Sequence, residues 1–338
     1  MINKPIFFER NRVGRVYTGG KLFGSFFGDD SDDGFFPEEW IASSVKAVNK
    51  VQASEKEGVS KLADSNMYFD ELIEKYPFEM LGSSEKMRIL VKILDSAVRL
   101  PAQAHPDKAF SKKYFNSEYG KTESWIILDT RENAKIYFGV KDGVTREAFE
   151  KAIDESEYDK DAMERLMEYS VPHKGDVYLV PAKTVHAIGA GCLILEVQEP
   201  TDFTIQPEHW CDKYKLNEQE MYIGLSKEDA LGCFEFGKAP QAKIISETVL
   251  DTGKVKIEKL IKNIDTDCFV INRITIRGGE YKLNVNDSYG VYIVTNGTGE
   301  LNGENYSQKL EKGDYFFMPA CLMDKFSVKG KLEVVECY

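Results

Sequence analysis

No stretch of this sequence approaches the ~20 consecutive apolar residues that a membrane-spanning helix needs. The apolar run near the start, Ile6-Phe7-Phe8, is too short for the core of a signal peptide. Basic residues are in deficit, 44 Lys and Arg against 56 Asp and Glu, for a formal net charge of −12. A nucleic-acid binder needs a basic stripe that replaces counterions along phosphates, and none occurs. An anionic membrane surface is disfavoured for the same reason. A small anionic substrate is compatible, because a few local Lys or Arg residues can oppose the global field. Histidine is scarce, with four in 338 residues. The six cysteines are scattered without a CxxC pair, which reads as reduced thiols and a cytoplasmic location rather than a disulfide frame. No low-complexity linker is present, and no obligate protein partner is evident.

What is present is an ordinary globular composition, 42% hydrophobic and 30% charged, in a chain long enough for about two domains. Residues 1–50 read as irregular with short strands, punctuated by glycines and by the acidic loop Asp29-Asp30-Ser31-Asp32-Asp33. That loop lacks the spacing of a calcium loop and reads as solvated. Residues 56–97 read as largely helical with a break at Pro77, on the spacing of Leu72, Ile73 and Tyr76 and of Met87, Leu90, Val91 and Leu94. Val98 and Leu100 alternate as in a strand, and strands are expected from there on. A second helical insertion is expected at 145–169, where Asp161 and Glu164 have the spacing of a capping box. Strands resume at Val177 to Val180 and Leu193 to Gln198, and again from about 243 to 336. Asn296-Gly297 and Asn302-Gly303 are hairpin signals. Many short strands with Gly and Asn turns suggest a sandwich or barrel.

A short internal repeat supports two related β-domains. Gly175-Asp176, four mostly apolar residues and Pro181-Ala182 are matched by Gly313-Asp314, four apolar residues and Pro319-Ala320. The first copy runs on to His186 and the second to Asp324, so the site is expected in the first copy alone. A boundary near 240 rests on Gly237, Pro240 and the renewed strand pattern. The expected division is 1–240, an N-terminal catalytic domain, and 241–338, a degenerate copy.

Gln103 and His105 alternate in an extended segment and therefore point the same way. With Glu123 and His186 they offer two imidazoles, a carboxylate and an amide oxygen, a mixed N/O set for a divalent metal. Zinc suits that set best, and iron, manganese and cobalt also fit by ligand type. His173 and His209 sit in loops without partners and read as structural.

Four blocks stand in order: 103–107 with Gln103 and His105; 120–125 with Lys121 and Glu123; 181–189 with His186; and Leu195-Glu196-Val197-Gln198. Together they resemble the type I phosphomannose isomerases of the cupin superfamily, over about residues 95–210. The resemblance implies a mainly β fold of two cupin (jelly-roll) β-sandwich domains with helical insertions. It implies a metal-dependent aldose–ketose isomerase that interconverts mannose 6-phosphate and fructose 6-phosphate. Gln103, His105, Glu123 and His186 would be the metal ligands. Lys121 matches the family's active-site lysine, and Glu196 and Gln198 its Glu-x-Gln strand. Two positions depart from the family: Pro101 stands where a substrate-binding Ser is usual, and Gln206 where a catalytic Arg is usual. Gln206 has no charge with which to hold a phosphate or an enediolate. Lys121, Lys183 or Lys213 would have to compensate. The alternative is a sugar- or sugar-phosphate-binding cupin with altered catalysis. Lys121 and Glu196 are the candidate bases; Lys121, Lys183 and Gln198 are candidates for holding substrate.

Overall fold

β-Branched and aromatic residues, broken by Gly, Asn and Asp, set strands along most of the chain. The computed structural model describes residues 2–50, 53–236, 242–284 and 288–338. The first part of the chain carries β1 (Arg12–Val13), β2 (Glu38–Ile41), β3 (Leu90–Ser96), β4 (Glu123–Thr130), β5 (Ile136–Val140), β6 (Met167–Ser170), β7 (Val177–Val180), β8 (His186–Ile188), β9 (Cys192–Gln198), β10 (Trp210–Cys211), β11 (Tyr214–Lys215) and β12 (Lys243–Ile244). The last part carries β13 (Glu247–Asp251), β14 (Val255–Ile261), β15 (Ile271–Lys282), β16 (Gly290–Gly303), β17 (Tyr306–Glu311), β18 (Tyr315–Met318) and β19 (Ser327–Cys337).

The first sheet is antiparallel in the order β1-β2-β3-β9-β4-β7-β12, and a small sheet β6-β5-β8 shares a core with it through Trp125, Ile127, Ile136, Ile188 and Ile194. The second large sheet runs β13-β14-β15-β19-β16-β17, with β18 also on β16. It curls around its own core of Ile274, Tyr292, Val294, Phe316, Val328 and Val334. The outward residues Val91, Ile93, Leu195 and Val197 of the first sheet meet Ile271, Val291, Ile293, Phe317 and Val335 of the second in one apolar cluster. The fold is thus mainly β, with two antiparallel β-sandwich units, as the sequence led us to expect.

The internal repeat is structural. Gly175 and Gly313 both take positive φ, 90° and 94°. Gly175 donates to the Ile127 carbonyl at 2.8 Å, and Gly313 to that of Val294 at 2.9 Å. Ile127 and Val294 donate in return to the carbonyls of Asp176 and Asp314. The two aspartate carboxylates accept from the N–H groups of His173 and Glu311. β4 and β7 therefore correspond to the start of β16 and to β18.

Four expectations are corrected. Residues 56–97 are not largely helical. Helices cover only Phe69–Lys75 and Pro77–Leu81, and Leu90–Ser96 is a central strand. That strand is buried on both faces, so its apolar residues are nearly continuous and imitate helical spacing. Val98 and Leu100 lie beyond its end, outside any strand. Within 145–169 the one α-helix is Arg146–Glu155, capped by Thr145; Asp161 and Glu164 form no capping box, and Glu164–Leu166 is a single 3-10 turn. Asn296-Gly297 is not a turn but lies inside β16, just after a bulge between Val294 and Asn296, with Gly297 at φ 78°. There β16 leaves β18 and takes up β17. The Asn302-Gly303 signal is met one step later, where Gly303 pairs with Tyr306 across Glu304 and Asn305. A helix at Lys21–Phe27 escaped the sequence reading. Gly237 and Pro240, on which the boundary near 240 rests, lie outside the described residues, and just beyond them Lys243–Ile244 still pairs with β7.

Candidate metal centre and its cavity

The segment before His105 is extended, and Gln103 exchanges both backbone hydrogen bonds with His186 at 2.9 Å. Alternation then sorts the side chains. Ala102 and Ala104 pack into an apolar core, while Gln103 and His105 face the other way. Glu123 opens β4 between Val180 of β7 and Gln198 of β9. His186 opens β8, edge-on to Trp125.

The four residues meet. The His105 and His186 Nε2 atoms are 3.1 Å apart, and Glu123 places one carboxylate oxygen 3.2 Å from the first and the other 3.3 Å from the second. The Gln103 amide is 3.3 Å from His186 Nε2. All are buried. Among the described residues, His105, Glu123 and His186 have ligand atoms within 4.8 Å of one another. His105 Nδ1 faces the Phe203 carbonyl at 3.0 Å and His186 Nδ1 that of Thr184 at 2.9 Å. A carbonyl only accepts, so each Nδ1 carries the proton and each Nε2 turns a lone pair inward. Burial, with the Lys121 ammonium alongside, pulls the His105 pKa down to about 3; burial likewise lowers that of His186. Both rings are therefore neutral, the form that binds metal. Burial opposes charge on Glu123, yet the Lys121 ammonium holds its carboxyl well below the usual range. Two neutral nitrogens, an anionic carboxylate and an amide fit a divalent cation.

Lys121 is buried, 2.7 Å from His105 Nε2 and 2.9 Å from Glu123. Beside this group opens a cavity of about 460 Å³, lined by Gln103, Lys121, Glu123, Glu196, Pro101 and Gln206, among others. Glu196 and Gln198 do share one face of β9, opposite Leu193, Leu195 and Val197. Their surroundings differ. Glu196 lines the cavity, whereas Gln198 donates to the carbonyls of Glu199 and Thr201 and ties down the following turn. Gln206 reaches the cavity wall and donates to the Glu220 carbonyl at 3.2 Å. Lys183 is not among the lining residues; at φ 68° it pairs with Glu235 at 3.3 Å. Lys213 is exposed and also outside the lining. His173 and His209 stand apart, beside Asp176 and Ser156.

The sequence reading missed the charged floor of the cavity. Buried Lys92 lies 3.7 Å from Glu196 and 3.8 Å from both Glu38 and Asp202. Arg15 bridges Glu38 and Asp202 at 2.9 Å each. Burial opposes charge on Lys92, but the three carboxylates raise its pKa and keep it a cation. Burial pushes Glu196 up to about 7; Lys92 opposes the rise and Glu123 adds to it. Glu196 is therefore the member of this group that exchanges a proton near neutrality. A lysine amid the apolar run of β3 was the one signal that could have revealed Lys92.

In the second unit the corresponding positions carry no ligands. Four residues before Val294, where Glu123 stands relative to Ile127, is Gly290; a Cβ there would lie 2.6 Å from the Tyr292 ring. The counterpart of His186 is the exposed Asp324.

These features define a mainly β protein of two antiparallel β-sandwich units, with a candidate mixed-ligand metal centre in the first. A family model for the mannose-6-phosphate isomerase cupin domain matches residues 259–338. Mannose-6-phosphate isomerase ManA of Bacillus subtilis is 27% identical over 253 residues, 74% of this chain and 75% of that protein. The mannose-6-phosphate isomerase of Streptococcus mutans is 26% identical over 337 residues, 98% of this chain and 97% of that protein. The crystal structure of the Bacillus subtilis mannose 6-phosphate isomerase superposes with a TM-score of 0.80 at 24% identity, covering 99% of this chain and 100% of that one. The apo enzyme from Salmonella typhimurium gives 0.73 at 14% identity, covering 100% and 99%. The chain is thus similar along nearly its whole length to mannose-6-phosphate isomerases, and residues 259–338 match the cupin domain of that family.

Proposed function

We propose that this protein is a metal-dependent aldose–ketose isomerase interconverting mannose 6-phosphate and fructose 6-phosphate, with zinc as the metal that its ligands suit best. The observation that carries the reading is the convergence of two neutral Nε2 lone pairs and the Glu123 carboxylate beside a cavity that also holds a carboxyl of pKa about 7. A cavity of about 460 Å³ lies within the range of small-molecule sites. A divalent cation held by Gln103, His105, Glu123 and His186 would act as a Lewis acid toward substrate oxygens.

Isomerisation removes a proton next to a carbonyl and returns it one carbon along. Glu196 is poised to take and return that proton, since its pKa lies near neutrality. Lys92, at 3.7 Å, keeps the ionised form of Glu196 accessible despite its burial. The Lys121 ammonium projects beside the ligands, where it can donate to oxygens that gain negative charge. Apolar residues of the wall, among them Leu94, Leu100 and Ile188, limit water around these groups.

We assign catalysis to residues 1–240 and read 241–338 as a copy that lost its ligands, with Gly290 in place of Glu123 as support. We place the enzyme in the cytoplasm; the six free thiols fit a reducing compartment. The test is a coupled assay with mannose 6-phosphate on metal-replete protein, run beside Gln206→Arg. Turnover by the native chain supports the reading. Tight sugar-phosphate binding without turnover, restored by Gln206→Arg, overturns it in favour of a binding cupin.

A further inference from the structure

Glu199 is buried, and no cation pairs with it among the described ion pairs. Its two carboxylate oxygens accept from two backbone N–H groups, Gly120 at 3.2 Å and Thr122 at 3.0 Å. Those residues flank Lys121. The same short segment is fixed on its other groups as well. The Glu199 N–H donates to the Thr122 carbonyl at 3.0 Å, and the Thr201 hydroxyl to the Gly120 carbonyl at 2.8 Å. The Lys121 N–H donates at 2.9 Å to the carbonyl of Pro106, the neighbour of His105. A Cβ on Gly120 would lie 2.7 Å from that same carbonyl oxygen, so the segment lies tight against the turn that follows His105.

We propose that Glu199 is a positioning residue for the isomerase site, clamping residues 120–122 so that Lys121 Nζ is held against His105 and Glu123. This rests on the isomerase reading for its consequence in turnover, not for the clamp itself. The physical reason is the number of acceptors. Two N–H groups converge on one side chain, and only a carboxylate offers an accepting oxygen to each. Glutamine would turn its NH2 toward one of them, leaving a buried donor unpaired and freeing one side of the loop. Lys121 has a flexible four-carbon stem, so the placement of its ammonium depends on where its backbone is held. A displacement of about 1 Å is enough to cost a large factor in rate.

The test compares the metal-loaded wild type with Glu199→Gln, Lys121→Met and the double variant. The expected result is a kcat at least tenfold lower for Glu199→Gln, with KM within about twofold and metal stoichiometry unchanged. The double variant should be no slower than Lys121→Met alone, because both changes act through one side chain. An unchanged kcat, or losses that multiply in the double variant, overturns the proposal. If the wild type turns over no aldose or ketose phosphate, the functional reading fails separately, and amide hydrogen exchange decides the clamp. Lost protection at Gly120, Lys121 and Thr122 with β3 and β9 still protected supports it; unchanged protection at those three amides overturns it. Should Glu199→Gln fail to fold, Glu199→Asp, which keeps the charge and shortens the reach, carries the same measurements.

Discussion

The Nε2 atoms of His105 and His186 face each other at 3.1 Å, while both Nδ1 atoms are engaged by backbone carbonyls. Two inward lone pairs at that distance suit a shared cation, and the backbone carbonyls that hold both Nδ1 atoms fix the rings in the orientation a metal needs.

Metal removal should therefore be felt in stability as well as in activity. A ligand present at a hundred times its Kd stabilises the folded state by about 2.7 kcal/mol. Stripping the ion with a chelator should lower Tm by several degrees and abolish turnover, and zinc should restore both. His186→Ala should bind no stoichiometric metal by elemental analysis and show no chelator-dependent Tm shift.

Glu196 gives a pH signature. As a base it must be ionised, so kcat should rise as pH increases through about 7, the value to which burial pushes it. Glu196→Gln should lose roughly 10²–10⁴-fold in kcat, the usual contribution of a general base, and that acid limb should vanish. Its effect on stability has the opposite sign. The folded pKa is raised above the unfolded one, so the contribution is complete below about 4.5 and is lost as pH rises through about 7. Thermal melts of Glu196→Gln against the parent should favour the variant at pH 8 and not at pH 4.

Lys92 holds together three carboxylates on the cavity floor, Glu38, Glu196 and Asp202. Lys92→Met should leave Glu196 without that partner, facing Glu38 and Asp202 that keep only the Arg15 cation, and destabilise the fold by about 3–5 kcal/mol, as breaking a buried charge group does. In any folded fraction the acid limb of the rate profile should move to higher pH, because Glu196 would lose its nearest cation. A variant with parental Tm and an unmoved profile would contradict this account of the floor.

Gly290 tests whether the second unit has any part in metal binding. A Cβ at that position meets the Tyr292 ring at 2.6 Å. Gly290→Ala should cost about 1–3 kcal/mol of overpacking, visible in chemical denaturation, and leave metal content at the parental value.

Much of the candidate site could be read along the chain because its candidate ligands lie in segments with simple local geometry. Period-two alternation put Gln103 and His105 on one face, and the same rule separated Glu196 and Gln198 from Leu193, Leu195 and Val197. The repeated Gly-Asp and Pro-Ala signals marked two equivalent turns whose hydrogen bonds match residue for residue. Legibility failed where burial erased periodicity. The strand Leu90–Ser96 is buried on both faces, so its pattern is that of any apolar run and it passed for a helix. Lys92 was hidden by the same error.

The sequence by itself determined the candidate ligand types, the mainly β fold and the repeated Gly-Asp and Pro-Ala turns, because these follow from residue chemistry and short-range backbone geometry. Only the tertiary structure decided that Gln198 ties a turn while Glu196 faces the cavity, that Lys183 points to Glu235, and that Arg15, Glu38, Lys92 and Asp202 form its charged floor. Those assignments depend on which distant strands pair, and the free energy of a buried charge is set by neighbours across the sheet rather than along the chain.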